Sequence, residues 1–192
     1  MPAVQAPSAR RLSRADFNRP TLLVARDLLG KYLVRRERGH TRAAMIVEVE
    51  AYKGPADRAA HTHGGRRTPR VEPLYRDGGT AYVYLCYGIH WLLNFSTVGE
   101  GKPECVLIRG IAIGDDDDAD FLLGPGRITR HLGIDRHLDG ADVTVSDRLW
   151  VEDRGVRIAP RAVRRGPRVG VDYAGPHWAG KPWRYQLIAP RR

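Results

Sequence analysis

Cysteine is scarce in this chain of 192 residues. Cys86 and Cys105 are its only cysteines, and they form neither a CxxC pair nor a disulfide framework. Cys86 lies in an apolar run typical of a strand, so we expect both residues to be reduced thiols in the core. A chain without disulfides is typical of a reducing compartment, which predicts a cytoplasmic protein.

Long apolar runs are also absent. No segment approaches the roughly 18 apolar residues that cross a membrane, and the N-terminal stretch MPAVQAPSARRLSRADF lacks the apolar core of a signal peptide. We therefore predict an intracellular protein without a membrane partner. Residues 1–12 are predicted to be a flexible basic arm, which either touches DNA or is inert, and residues 13–192 a single domain.

Motifs that bind nucleotides, cofactors or metals are missing. The chain has no GxSxG elbow, no P-loop and no dinucleotide fingerprint. His61 and His63 form an HxH pair, but no third ligand stands at metal-binding spacing and the zinc deaminase pattern is absent. We predict no metal and no cofactor, and His61 is either a hydrogen-bonding group in a pocket or an ordinary loop histidine.

Lysine is scarce, yet the chain is strongly basic. Lys and Arg together number 32 against 22 Asp and Glu, a net charge of +10, and only four of these cations are lysines. This excess is typical of a protein that binds nucleic acid, and the arginine fork suits phosphate. A basic protein without such a partner, or biased codon usage, would give the same excess.

Most of the secondary structure that the sequence predicts is β-strand. A short helix is predicted at Thr21–Leu29 and a second helix after the Gly-Pro-Gly turn at 124–126. The predicted strands are KYLVRRE, RAAMIVEVEAY, TAYVYLC, WLLNFS and ECVLIRGIAI, followed by alternating segments in the last fifty residues. The turn between the first two strands is placed at 38–41, one helical turn is placed at Asp57 to His61, and 115–118 is predicted to be a solvated loop. The class is α+β, with a curved, mostly antiparallel sheet and short flanking helices.

Two glutamates lie near the end of the second predicted strand. Strand alternation places Glu48 and Glu50 on one face, next to a glycine-rich loop. A half-desolvated carboxylate acquires a raised pKa that suits a general base, so either residue is a candidate. The alternative is an exposed edge glutamate, or one paired with an arginine.

Three tyrosines crowd the stretch TAYVYLCYGIH. Alternation places Tyr82 and Tyr84 on one face of a strand and leaves Tyr87 at the tip of a predicted hairpin. A tyrosine in the turn of a basic protein can stack on bases or wedge between them. Residues of the core and rim of a sheet would give the same pattern.

Several long segments in this order resemble the alkyladenine DNA glycosylase family, the N-methylpurine or 3-methyladenine glycosylases outside the helix-hairpin-helix superfamily. The resemblance extends from about Asp16 to Ile188. Its strongest segments are ARDLLGKYLVRR, IVEVEAYKGPADRAAHTHGGRRTPR, GGTAYVYLCYGIHWLLNFS, CVLIRG and RVGVDYAG with KPWRY. It implies a single compact domain, like the C-terminal domain of formyltransferases, with a protruding hairpin that inserts into DNA.

The activity that the resemblance implies is base excision repair. Such an enzyme flips a damaged purine of the 3-methyladenine, 7-methylguanine, hypoxanthine and ethenoadenine class out of duplex DNA. It then hydrolyses the N-glycosidic bond and leaves an abasic site, without a lyase step. The expected partner is double-stranded DNA, and one chain suffices, which predicts a monomer.

The resemblance also implies roles for single residues. Glu50, rather than Glu48, matches the general base, and Arg109 matches the arginine that positions the attacking water. Tyr52, His61, Tyr84 and Asn94 match residues of the base pocket. Tyr87 matches the tyrosine that intercalates into the duplex. A backbone carbonyl of the segment Val169 to Val171 matches the one that completes the water site. The chain departs from the family pattern at Ile89, His90, Asp172 and Tyr173.

Four further arginines are expected to contact DNA phosphates. Arg66, Arg67 and Arg70 lie in the long loop, and Arg127 follows the Gly-Pro-Gly turn. A solvated arginine cluster is the alternative. Two other functions stay open, a minor-groove architectural protein and an RNA-binding or RNA-processing protein.

Overall fold

The framework of the protein is one curled antiparallel sheet. The computed structural model describes residues 9–114 and 119–188. The strands are β1 (Arg10–Arg11), β2 (Tyr32–Glu37), β3 (His40–Tyr52), β4 (Ala81–Cys86), β5 (His90–Thr97), β6 (Glu104–Ile113), β7 (Asp120–Leu123), β8 (Leu149–Asp153), β9 (Val163–Gly166) and β10 (Arg184–Leu187). They follow the order β1-β8-β2-β3-β6-β5-β4, with β10 beside β3, β9 beside β10 and β7 beside β6. All these described pairs are antiparallel.

Short helices cover the sheet. They are α1 (Arg14–Phe17), α2 (Thr21–Leu28), α3 (Pro125–Leu132) and α4 (Pro176–Ala179). The apolar faces of α2 and α3 pack with β2, β3, β5 and β6 in the main core, so the predicted α+β class and the single compact domain are confirmed. No helix in the described ranges is long and apolar enough to cross a bilayer.

The N-terminal boundary differs from the predicted one. Arg10 and Arg11 pair with Asp153 and Glu152 of β8, and Leu12 is buried. The backbone N–H of Leu12 also donates to the carbonyl of Val151. The sheet therefore begins inside the predicted arm. Residues 1–8 of that arm, and the acidic loop predicted at 115–118, lie outside the described residues.

The strand β3 organises the sheet because it has three neighbours. Its first half pairs with β2 and its second half with β10, while β6 runs along the opposite edge. The turn from β2 contains only Arg38 and Gly39, both with positive φ, as two-residue hairpins require. It is therefore shorter than the four residues predicted.

An irregularity in the pairing of β3 with β6 lies beside the two glutamates. Glu48 is opposite Gly110, and Val49 is opposite Ile108, so Arg109 has no partner in the ladder. A Cβ on residue 110 would lie 2.8 Å from the Cβ of Glu48. The glycine therefore lets the strands approach, and the bulge re-aims Arg109.

The long loop after β3 contains three short 3-10 helices, Gly54–Ala56, His63–Gly65 and Pro69–Tyr75. The helical turn predicted at Asp57 to His61 is wrong, because turns occupy those residues. The carboxylate of Asp57 accepts the N–H groups of Lys53 and Ala59, each at 3.0 Å. An aspartate that bonds to nearby backbone in this way favours turns over helix.

The strands β4 and β5 form the predicted hairpin. Cys86 pairs with His90, so the turn consists of Tyr87, Gly88 and Ile89. Tyr87 has a φ of 50° and is 90% exposed. A non-glycine residue with positive φ is uncommon, and this geometry aims the phenol away from the sheet.

Candidate active site

A cavity of about 770 Å³ opens beside this hairpin. Its walls come from the end of β3, the long loop, the hairpin, the start of α3 and the segment 169–173. Eight of the residues predicted from the sequence line it: Tyr52, His61, Arg70, Tyr84, Tyr87, Asn94, Arg109 and Arg127. Residues far apart in the chain are thus brought together around one cavity.

Glu50 lies directly behind this cavity. Its side chain is fully buried, and three residues that line the cavity surround its carboxylate. The backbone N–H of Val169 donates to Oε1 at 2.7 Å, and the Tyr52 hydroxyl donates to Oε2 at 2.9 Å. The Nε of Arg109 lies 3.4 Å from Oε1. The carboxylate is therefore both desolvated and held in place.

Opposing effects act on the pKa of Glu50. Burial is the largest effect and raises the pKa, because the charged form loses its hydration. Arg109, the Val169 amide and the Tyr52 hydroxyl lower it, while the neighbouring Glu48 raises it. The net pKa is higher than that of an ordinary glutamate, which is the direction that suits a general base.

Glu48 has different partners although it lies only two residues away. Arg184 of β10 donates to its Oε1 at 3.1 Å, and the Arg109 Nε is 3.6 Å from the same oxygen. Glu48 is thus engaged by an arginine across the sheet, whereas the Glu50 carboxylate is bound by the Tyr52 hydroxyl and the Val169 amide. The two glutamates, which alternation alone leaves equivalent, are distinguished by these contacts.

Arg109 lies between the two carboxylates. Its Nε is buried and makes no hydrogen bond with any described residue. It lies 3.4 Å from the Oε1 of Glu50 and 3.6 Å from the Oε1 of Glu48, so it is paired electrostatically with both carboxylates. The Arg109 side chain also lines the cavity.

Aromatic rings form one wall of the cavity. The rings of Tyr82 and Tyr84 stack with centroids 5.1 Å apart, and His61 meets Tyr84 edge-on at 4.6 Å. The Nδ1 of His61 lies 2.9 Å from the Tyr82 hydroxyl oxygen. Burial, with help from Arg70 and Arg66, lowers the pKa of His61, which favours the neutral ring.

Tyr82 is a residue that sequence reasoning left as a packing side chain. It is almost fully buried, yet it also lines the cavity and bonds to His61. Alternation had placed it on the same face as Tyr84, which was the available signal. The hydrogen bond to His61 could not be foreseen, because it joins a strand to a loop.

Asn94 and Cys105 are buried residues that line the cavity. The Asn94 amide donates to the Tyr82 carbonyl at 3.2 Å, and the Cys105 thiol lies 3.8 Å from the Asn94 Oδ1. Burial raises the pKa of Cys105, so it stays a thiol. Both cysteines are unpaired, as predicted, but Cys86 is half-exposed at the cavity rather than in the core.

The mouth of the cavity has two exposed tyrosines. Tyr87 projects from the hairpin, and Tyr173 is 73% exposed with its hydroxyl donating to the Ala59 carbonyl at 3.0 Å. Tyr173 was noted in the sequence only as a departure from the family pattern. The structure places it on the cavity rim.

The four arginines predicted to contact phosphates have different surroundings. Arg70 lies over the Tyr84 ring and donates to the Leu85 carbonyl at 3.3 Å, and Arg127 donates to the Leu123 carbonyl at 3.4 Å. Arg67 binds Glu72 through two hydrogen bonds and covers the ring of Tyr75. Arg66 is exposed next to them. Arg66 and Arg67 do not line the cavity itself.

The two histidines of the HxH pair have separate partners. His61 bonds to Tyr82, while the Nδ1 of His63 lies 3.0 Å from the Pro55 carbonyl. In the described ranges no three His, Cys, Asp or Glu side chains gather as a metal site.

Comparison with known proteins assigns this site to a family. Residues 15–190 match the family model described as methylpurine-DNA glycosylase. The chain belongs to this glycosylase family. The match covers almost all of the described residues, including every residue around the cavity.

Bacterial relatives of this glycosylase match it over most of their length. A protein of Desulfitobacterium hafniense (strain Y51) is 38% identical over 93% of this chain and 95% of its own. A protein of Anaeromyxobacter dehalogenans (strain 2CP-C) is 46% identical over 92% of this chain and 83% of its own. A protein of Psychrobacter cryohalolentis is 40% identical over 90% of this chain and 88% of its own. Each is named "Putative 3-methyladenine DNA glycosylase". This glycosylase is thus an enzyme of DNA repair that acts on an N-glycosyl bond.

Proposed function

We propose that this glycosylase flips an alkylated purine out of duplex DNA into the cavity and hydrolyses its N-glycosidic bond, with Glu50 as the general base. The observation that supports this most is the position of the Glu50 carboxylate. It is fully buried, bound by two hydrogen-bond donors and adjacent to an aromatic cavity. Buried acids with a raised pKa beside a cavity cluster at functional sites, which supports this role for Glu50.

The cavity suits a flipped base. Its volume of about 770 Å³ lies in the range of small-molecule sites. Tyr52 and Tyr84 offer aromatic faces, and a cationic alkylated purine over such a face gains roughly 0.5–2 kcal/mol. Flipping costs a few kcal/mol, less for a damaged pair, and insertion of the exposed Tyr87 offsets part of that cost.

The bond that breaks joins C1′ to the purine nitrogen. Its electron pair leaves with the base, so a positively charged alkylpurine departs neutral and requires no proton. C1′ acquires oxocarbenium character, and water attacks it while Glu50 takes the proton of that water. Arg109 is the group proposed to hold this water beside the carboxylate, because its side chain lines the cavity and its Nε lies 3.4 Å from the Glu50 Oε1.

The Glu50 carboxylate is covered by its neighbours in this structure. Water reaches Glu50 only after one of them shifts, and Tyr52 is the neighbour with a partly exposed ring at the cavity. We infer that stacking of the base on Tyr52 accompanies release of its hydroxyl from Oε2. Attack of water on C1′ then becomes possible.

A hydrolytic reaction without strand cleavage is also part of the proposal. A lyase step requires an amine nucleophile, and no lysine of the described residues lines the cavity. Action as a monomer on double-stranded DNA is part of the same proposal, since the reaction described needs only one chain.

The test is excision from a methylated duplex. The DNA is incubated with the protein, and abasic sites are converted to strand breaks by hot alkali. We expect Glu50→Gln to bind the duplex as the wild type does but to lose about 10²–10⁴ in rate.

Glu48→Gln is the matched control for this test, because Glu48 is a neighbour bound to Arg184. It should retain at least ten times the activity of Glu50→Gln. Equal loss in both variants would remove Glu50 as the base. Binding by the wild type without any breaks would favour an architectural protein of the minor groove.

A further inference from the structure

An ion pair without any solvent contact lies behind the cavity. The guanidinium of Arg168 binds the carboxylate of Asp57 through both nitrogens, with Nη2 to Oδ1 at 2.9 Å. Neither side chain has exposed surface. A buried ion pair is often no more stabilising than apolar residues of the same volume, so its presence here calls for another reason.

The pair joins four segments of the chain. Asp57 also accepts the N–H groups of Lys53 and Ala59, which fixes the loop that leads to His61. Arg168 donates to the carbonyl of Ala51 at 3.0 Å and to that of Trp178 at 3.3 Å. The end of β3, the long loop, the segment after β9 and α4 therefore meet at these two side chains.

Both hydrogen-bond donors to Glu50 depend on this junction. Val169, whose N–H donates to Oε1, directly follows Arg168. Tyr52, whose hydroxyl donates to Oε2, has its ring 4.6 Å from the Arg168 guanidinium carbon. Arg168 itself does not touch the carboxylate and does not line the cavity.

We propose that Arg168 and Asp57 are positioning residues that hold the Val169 amide and the Tyr52 ring against Glu50. This inference rests on the proposed role of Glu50 as the general base. The pair acts through geometry: it places two donors on one carboxylate and so sets how readily that carboxylate ionises. A merely structural pair would stabilise the fold without any such effect on Glu50.

Two variants separate these possibilities. Asp57→Asn keeps the volume of the side chain but removes the charge that orients Arg168. The double variant Asp57→Leu with Arg168→Met removes both charges and keeps apolar volume, which commonly preserves folding. The control is Asp153→Asn, since the Lys31–Asp153 pair is a partly buried ion pair that does not line the cavity.

The main measurement is the carboxyl titration of Glu50 in the free protein, followed by 13C NMR and assigned with Glu50→Gln. Loss of a hydrogen bond to a charged group should move this titration upward by about one pH unit in both variants. The other charged groups near Glu50 are Glu48, Arg109 and Arg184, from β3, β6 and β10. They are unchanged in these variants. Loss of the Asp57 charge alone would lower the pKa of Glu50, and the double variant removes one charge of each sign, so an upward shift in both variants reports on the donors.

The second measurement is the pH dependence of single-turnover excision. The midpoint of the acid side of this pH profile should shift to higher pH by the same amount in the two variants of the pair. In Asp153→Asn the midpoint should not shift. An unmoved Glu50 titration in folded variants overturns the inference. If the wild type excises nothing, the proposed function fails, whereas the NMR titration still decides whether the pair positions the donors.

Discussion

A single residue, Glu50, shows how burial and hydrogen bonding compete within a site. Removal of the carboxylate from water raises its pKa, and the Val169 amide, the Tyr52 hydroxyl and Arg109 only partly reverse that effect. A glutamate whose folded pKa lies above its unfolded pKa contributes stability at low pH. That stability is lost as the pH rises through the folded pKa.

The Glu50→Gln variant should therefore become more stable relative to the wild type as the pH increases. The amide introduced by this substitution does not titrate, so the difference in unfolding free energy between variant and wild type should grow from pH 5 to pH 8. From a pH below the unfolded pKa to one above the folded pKa the growth totals about 1.4 kcal/mol for each unit by which folding raises the pKa, and only the part above pH 5 falls within this window. Thermal or urea unfolding at both pH values measures it.

Glu100→Gln is the control for this measurement, because Glu100 is exposed in a turn. Its difference from the wild type should be the same at pH 5 and pH 8. A Glu50→Gln variant that loses stability relative to the wild type as the pH rises would contradict the raised pKa.

At the scale of an element, the irregular pairing of β3 and β6 determines where Arg109 points. The bulge takes Arg109 out of the ladder, and Gly110 makes room for the Glu48 backbone to approach. The predicted alternation of β3 was correct for the positions of Glu48 and Glu50. It contained no sign of the bulge, because a bulge depends on the partner strand.

Gly110→Ala should disturb this element. The new methyl group would lie 2.8 Å from the Cβ of Glu48 and from the Cδ2 of Leu123. Overpacking of this kind costs about 1–3 kcal/mol. We expect a lower urea midpoint together with slower excision, because the strand that carries Arg109 has to shift.

Gly166→Ala is the matched glycine in a strand of the same sheet. Its added methyl group would meet only the Arg184 Nη2, at 3.7 Å. It should change neither stability nor excision appreciably. Equal effects of the two substitutions would show that the close approach at Gly110 has no special role.

For the molecule as a whole, the effect of the net charge of +10 on DNA binding depends on where the arginines lie. Arginine is placed along the mouth of the cavity, where Arg70 and Arg127 line the wall and Arg66 is exposed nearby. Each phosphate contact releases counterions, so binding to DNA should weaken steeply with salt. Arg67, which binds Glu72, has to leave a carboxylate before it can contact phosphate.

Arg66→Ala should lower the slope of log affinity against log salt concentration by about 0.9 without changing lesion choice. Fluorescence anisotropy with duplexes that carry different lesions, at several salt concentrations, measures both quantities. Arg26→Ala is the control, since Arg26 is exposed on α2 and lies outside the cavity lining. An unchanged slope for Arg66→Ala would place that arginine away from the DNA.

Much of the fold was accessible from local patterns. Strand alternation and turn residues predicted the β4–β5 hairpin with Tyr87 at its tip, and the breaker Gly30 marked the end of α2. The turns at Asp57 were missed because a single side chain, through its bonds to Lys53 and Ala59, overrides helical spacing. Family resemblance, and not residue patterns alone, was needed to select Glu50 over Glu48.

Local residue patterns were enough to predict the antiparallel α+β character, the face shared by Tyr82 and Tyr84, and the strand that carries both glutamates. These properties follow from the period of two residues in a strand, which is local. The groups that surround each glutamate, in contrast, depend on how the whole chain folds. Val169 is 119 residues from Glu50 and Arg184 is 136 residues from Glu48. Desolvation and hydrogen bonding depend on such distant segments, because a pKa is set by whatever packs around the group in space.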